Sequence, residues 1–183
     1  MIILASQSPR RMKLLKDAGI EFKVIVNPIE ETYDENLDPE EITMELAYQK
    51  AQGVSTLHPN DVVIGADTIV VFEGKILGKP KDEDEAKAML TMLSGRYHEV
   101  YTGVAIIKGE KISTFYCEAA VKMKPLSQLQ IQAYIDTKEP FDKAGAYAIQ
   151  GQGGELVETY EGDFFTIMGL PLKMLLEKLK DFK

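Results

Sequence analysis

Arg10 and Arg11 sit at the wrong end of a helix. The stretch SQSPRRMKLLKDAG reads as a helix with Ser8 as N-cap, Pro9 at the first position and Gly19 as the stop. The free N–H groups and dipole of a helix start favour anions, so two guanidiniums in the first turn cost roughly 0.3–1 kcal/mol each. A bound phosphate reverses that sign. The helix start, both arginines and the hydroxyls of Ser6 and Ser8 would then converge on one anion. This is not a Walker-type loop, because GxxxxGK[ST] is absent.

Asp67 closes the apolar run VVIGAD just after Gly65. A carboxylate held there by a rigid strand reads as a metal ligand or a general base, or else as a turn residue capping the backbone at Thr68. Glu30 and Glu31 follow the extended segment FKVIVNPI and offer further oxygens, since hard Mg²⁺ takes one or two carboxylates together with substrate phosphates; alone they read as an acidic surface loop. Lys50 falls on the inner half of a helical pattern, where a solvated face is the plain reading. Lys79 stands between Gly78 and Pro80, whose backbone limits aim its side chain as a point charge for phosphate. The glycine-rich stretch 139–154, EPFDKAGAYAIQGQGG, holds Asp142, Lys143 and Gln150, and a loop that long inside a domain is usually functional. The Gln150 amide can donate and accept in one plane, as a uracil or thymine edge requires, or it can satisfy backbone groups.

Other chemistries fit poorly. His58, His98 and the single Cys117 are too few for a zinc site, and no GxSxG elbow is present. Both histidines read as loop or strand-edge residues, and Cys117 as a small buried hydrophobe.

These residues need elements to hold them. Residues 2–5 form a short buried strand, and a second helix starts at Asp38 with Pro39 in its first turn and Glu41 closing a capping box, weakened near its end by Gly53. Residues 61–80 read as a hairpin turning at Glu73-Gly74, followed by a helix capped by Asp82 that reaches about Leu93. A long hairpin turns at Gly109-Glu110, a helix follows from Ser127, and ELVETY and FFTIM read as strands before a last helix after Pro171. Helices mixed with long antiparallel hairpins predict an α/β fold with a mixed sheet rather than a doubly wound one. With 183 residues, 45% of them hydrophobic, the chain can bury one substantial core as a single domain. Its net charge of −8 argues against nucleic acid polymers as partners. The opening MIILASQSPRR is too short in its apolar run for a signal peptide, and no run approaches the roughly 20 residues of a membrane span, so a cytoplasmic protein is expected.

In order along the chain, ASQSPRR (5–11), GADT (65–68), LGKP (77–80), SGRYHEVYTGV (94–104), EPFDKAGAYAIQG (139–151) and GLP (169–171) resemble the Maf-type nucleoside triphosphate pyrophosphatases. The resemblance covers nearly the whole chain. It implies an elongated single α/β domain over residues 1–183, with a mixed sheet and two lobes around a cleft, as in inosine triphosphatases. It also implies hydrolysis of nucleoside triphosphates to monophosphate and pyrophosphate with Mg²⁺, or Mn²⁺ or Co²⁺ in its place, by a homodimer with a house-cleaning or division-arrest role. The Asp of GADT, here Asp67, is the family's proton acceptor. Arg10, Thr68 and Gln150 fall on positions linked to substrate choice, while Ser6, Arg11, Glu31, Lys50 and Lys79 resemble phosphate and metal contacts, with Glu31 and Asp67 as the metal pair. The triplet IQG resembles the dTTP/UTP branch rather than the branch acting on 7-methyl-GTP. A nucleotide-sensing regulator of septum formation is the rival from another class. One departure is DFFTIM, where many relatives carry an Asn near Thr166.

Overall fold

The computed structural model describes all 183 residues. In chain order the elements are β1 (Ile2–Leu4), α1 (Pro9–Asp17), β2 (Lys23–Val24), α2 (Pro39–Ser55), β3 (Val62–Phe72), β4 (Lys75–Leu77), α3 (Glu83–Leu93), β5 (Tyr97–Lys108), β6 (Lys111–Met123), α4 (Gln128–Asp136), β7 (Val157–Gly162), α5 (Phe164–Met168) and α6 (Leu172–Leu179). The strands run in the order β2-β1-β3-β5-β6-β7, with β4 on β3. β1 is parallel to β2 and β3, whereas β4 and β7 are antiparallel to β3 and β6. The sheet is therefore mixed, as the alternation of helices and hairpins predicts. The chain divides into two compact units, one of residues 1–68, 102–117 and 169–183, the other of residues 69–101 and 118–168. No helix is long and apolar enough to cross a membrane.

The first unit packs Ile3, Ala5, Val63, Ala105 and Ile107 against Ala47, Ala51 and Val54 of α2. Small residues on both sides let the helix lie on bare backbone. A Cβ on Gly65 of β3 would stand 2.3 Å from the Ala47 carbonyl oxygen and 2.8 Å from the Ala51 nitrogen, and one on Gly103 of β5 would stand 2.3 Å from the Thr43 carbonyl carbon. The start of α2 follows the expected capping box, with the Glu41 carboxylate accepting from the Asp38 N–H at 3.1 Å. Gly53 does not end the helix, which continues to Ser55; a Cβ there would come to 3.0 Å from Ile29 Cγ2, so close approach explains the glycine. Just after α1, Gly19 takes the left-handed φ of 70° expected of a helix stop.

The second unit has its own core, in which Leu90 and Leu93 of α3, Ile131 and Ile135 of α4, and Val121 and Met123 of β6 are buried together. Asp82 caps α3 through the Glu85 N–H at 2.8 Å, and Ser127 and Gln130 form a capping box on α4. Residues 139–154 are not open loop: they wind through 3-10 turns at Glu139–Asp142, Ala144–Ala146 and Gly151–Leu156.

Three expectations are corrected. FFTIM is the short helix α5 rather than a strand, because the Asp163 carboxylate accepts from both the N–H and the hydroxyl of Thr166, at 2.9 and 2.8 Å. That cap outweighs the strand preference of the aromatic and branched residues. His98 is no edge residue, since it is 1% exposed within β5. Cys117 shares the core-facing alternation of β6 with Phe115 and Ala119 yet is half-exposed, its sulfur 4.0 Å from that of Met174, itself an exposed residue of α6.

Candidate active site

Gly65 and Asp67 lie two residues apart on β3 and so face the same side of the strand. The helix that rests on Gly65 therefore delivers its next inward side chain to Asp67. Lys50 Nζ lies 2.5 Å from Asp67 Oδ1 and 3.4 Å from Glu31 Oε1. The Lys50 and Asp67 side chains are only 22% and 13% exposed, which places this ion pair off the solvated helix face that the sequence pattern suggests for Lys50. Glu31 is more open, at 45%. Its loop is docked on α2: the Gln49 amide donates to the Thr32 carbonyl at 2.6 Å and accepts from the Thr32 N–H at 3.2 Å, and Asn27 donates to the Gly53 carbonyl at 2.9 Å.

Arg11 forms the second cluster. Its Nε donates to the Gly169 carbonyl at 2.7 Å, Nη1 to Ser6 Oγ at 3.1 Å and Nη2 to Thr68 Oγ1 at 3.1 Å. Thr68 Oγ1 is in turn 2.8 Å from the hydroxyl of Thr102. Burial pushes the guanidinium below its usual pKa and Arg10 acts in the same direction, while Asp67 and Glu31 oppose them. Three of the five N–H donors of this side chain are thus fixed, and two remain for an anion. Ser6 is 8% exposed and accepts from both Arg11 and the Ser8 N–H, the latter at 3.3 Å. Its hydroxyl hydrogen is left to donate. Ser8 caps the helix through the Arg11 N–H, a long contact of 3.5 Å. The sequence reading brings both arginines and both serine hydroxyls onto an anion; in the structure the Ser6 and Thr68 hydroxyls accept from the Arg11 guanidinium, and Ser8 accepts from its backbone N–H. Arg10 is half-buried.

Lys79 and Gln150 belong to the second unit. Lys79 is exposed and Gln150 half-buried. Their segments are tied by one backbone bond, from the Gly145 N–H to the Gly78 carbonyl at 3.1 Å. Arg96 follows α3 and pairs loosely with Glu73 at 3.6 Å.

Sequence reasoning named Ser6 and Thr68 but missed the Gly169 carbonyl that receives Arg11 and the Thr102 hydroxyl beside Thr68. Gly169 and Thr102 lie in GLP and YTGV, motifs noticed for their resemblance but without a role. It also missed His98, whose Nε2 is 2.5 Å from Tyr147 Oη.

A family model described as Maf-like protein matches residues 1–182. The chain belongs to the Maf family. A dTTP/UTP pyrophosphatase of Bacillus cereus is 50% identical to this Maf protein over 181 residues, 99% of this chain and 95% of the relative. One of Bacillus mycoides, with the same name, is also 50% identical over 181 residues, again 99% and 95% of the two chains. Among solved structures, the Staphylococcus aureus Ham1 protein matches with a TM-score of 0.49 and 15% identity over 85% of this chain and 79% of that one.

Proposed function

We propose that this Maf protein is a nucleoside triphosphate pyrophosphatase that hydrolyses dTTP and UTP to the monophosphate and pyrophosphate. The reading rests on one arrangement: two carboxylates, Glu31 and Asp67, converge on the Lys50 ammonium. It is supported by relatives at 50% identity that bear that name.

Two carboxylates facing one position are a donor set that suits a hard divalent cation whose other ligands are phosphate oxygens. No group of three or more His, Cys, Asp or Glu side chains gathers at one point, so a divalent ion here would be held by two carboxylates and would need further oxygen ligands from outside the chain. Glu31 and Asp67 would hold Mg²⁺, or Mn²⁺ or Co²⁺ in its place. When bound, the ion supplies charge neutralisation and acidifies water.

The chain's own groups do the rest. Arg11, pre-aimed by Ser6, Thr68 and Gly169, presents its two remaining N–H groups to phosphate oxygens without reorganising. Lys50, held by the two carboxylates, and the exposed Lys79 add positive charge as negative charge builds on the leaving group. Water attacks the α-phosphorus in line, and the bond from that phosphorus to the bridging oxygen breaks. Pyrophosphate leaves, and the proton shed by the water passes to the Asp67 oxygen that Lys50 does not hold. Gln150 reads the pyrimidine edge, and Arg10 and Thr68 bear on substrate choice, Thr68 through its hold on Arg11. The same reading makes the protein a cytoplasmic homodimer that acts on free nucleotides.

A nucleotide panel with separate pyrophosphate and phosphate assays tests this. Pyrophosphate release with Mg²⁺ is expected to be fastest from dTTP and UTP, to stop when the metal is chelated, and to fall about 10²–10⁴-fold in Asp67→Asn. Preferred turnover of 7-methyl-GTP, or none with any nucleotide, would overturn it.

A further inference from the structure

His98 occupies a place that packing alone would give to an apolar residue. It is 1% exposed on β5, and its Nδ1 is buried without a hydrogen-bond partner. A stranded nitrogen carries a desolvation penalty that a phenylalanine or leucine would avoid. What the imidazole has instead is Tyr147: the Nε2 to Oη distance is 2.5 Å, and the rings meet edge to face at 5.3 Å and 83°.

Tyr147 follows two successive left-handed residues, Gly145 at φ 70° and Ala146 at φ 67°. Alanine adopts that conformation only against steric strain, so the surroundings must impose it. They do so through the Gly145 N–H on the Gly78 carbonyl at 3.1 Å, the Ala146 N–H on the Lys143 carbonyl at 3.0 Å, and the close seat of Gly145 on Val70, where a Cβ would lie at 3.0 Å. Downstream of Gln150 the chain is fixed again. Glu139 Oε1 accepts from the Gly153 N–H at 3.2 Å and from Tyr134 Oη at 3.1 Å. Burial and Glu139 raise the Tyr134 phenol well above its ordinary pKa, which keeps it a donor. Gln150 therefore stands midway between two phenol-anchored points, three residues from each.

We propose that His98 is a positioning residue for base selection: through Tyr147 it fixes the strained segment that presents Gln150. The inference rests on the reading of Gln150 as the group that meets the pyrimidine edge. An amide that must align with one edge tolerates little displacement, since a misplacement near 1 Å is enough to lose discrimination. The same strut bears on Lys79, because the Gly145 to Gly78 bond joins the two segments.

The test compares kcat and KM for dTTP and dCTP in His98→Phe, His98→Gln, Tyr147→Phe, Gln150→Ala and the double variant His98→Phe/Gln150→Ala, each with a melting curve. In His98→Phe the KM for dTTP should rise about tenfold with kcat within about twofold, and the preference for dTTP over dCTP should fall about tenfold. Tyr147→Phe, which keeps the ring, should match it. His98→Gln keeps a polar group within reach of Tyr147 and should recover part of the loss, and in the Gln150→Ala background His98→Phe should lower the preference no further. If His98→Phe and Tyr147→Phe lower the melting temperature while the preference stays intact, and Gln150→Ala removes it, the strut is structural only and the proposal fails. If Gln150→Ala itself leaves the preference untouched, the base-reading role falls, and the inference with it.

Discussion

Arg11 shows how a residue expected to bind a ligand is first bound by its own protein. Its planar fork meets the Gly169 carbonyl and the Ser6 and Thr68 hydroxyls at once, a geometry that a lysine cannot reproduce. Arg11→Lys should therefore raise the KM for triphosphates about 10–100-fold while the net charge stays the same, measured as pyrophosphate release against substrate concentration. His98 makes a different kind of prediction. Burial lowers it from 6.5 to about 4. Above pH 6.5 both the folded and the unfolded states hold it neutral. As the pH falls from 6.5 to 4 the unfolded chain takes up a proton that the folded one refuses, so stability is lost across that window, by up to about 3 kcal/mol. Denaturant melts of the wild type and His98→Phe at several pH values check this: as the pH falls from 6.5 to 4 the wild type should lose stability relative to His98→Phe. Neither residue's surroundings were legible in the sequence. Asp67 stood out because a carboxylate at the end of an apolar run needs a reason, whereas the partners of the Arg11 guanidinium are one glycine carbonyl and two hydroxyls, and no sequence pattern says that these groups meet it. Lys50 was undervalued for a related cause: helical periodicity says which face is inward and nothing about the charge waiting there.

At the scale of elements, the site depends on how closely a helix can lie on a strand. Gly65 lacks the side chain that would hold α2 away, and Asp67 is the next residue on that face. Gly65→Ala places a methyl group where the Ala47 carbonyl and Ala51 nitrogen stand, at 2.3 and 2.8 Å, so the helix must shift and Lys50 with it. We expect a loss of about 1–3 kcal/mol in stability and a fall in kcat larger than that loss explains. Gly78→Ala is the control, since a Cβ there meets nothing within 4 Å, and it should leave both stability and kcat near wild type. Calorimetry and steady-state kinetics on the two variants separate crowding from loss of glycine freedom. Caps and stops were legible in advance at Ser8, Asp38, Asp82 and Gly19, because each is a local hydrogen bond or dihedral written in a few residues. α5 was not. Its residues prefer strands, and only the Asp163 carboxylate, reaching forward to Thr166, decides otherwise.

For the molecule as a whole, the net charge of −8 sets the partners it can meet. Cations focused at Arg11 and Lys50 suit one small polyanion, while the acidic remainder repels an extended one. A mobility shift with duplex DNA at about 0.15 M salt should show no complex. The mixed sheet was legible from alternating helices and hairpins; two lobes were expected from the family resemblance, but which residues make up each unit was not legible, because both units are assembled from separated stretches of sequence. That interleaving has a temporal side. The carbonyl that locks Arg11 lies 158 residues further along the chain. At a synthesis rate of about 5–20 residues per second, roughly 8–30 s pass on the ribosome between the two. During that interval only the Ser6 and Thr68 hydroxyls are present to hold the guanidinium, and a chain broken off before Gly169 lacks the carbonyl that receives its Nε–H.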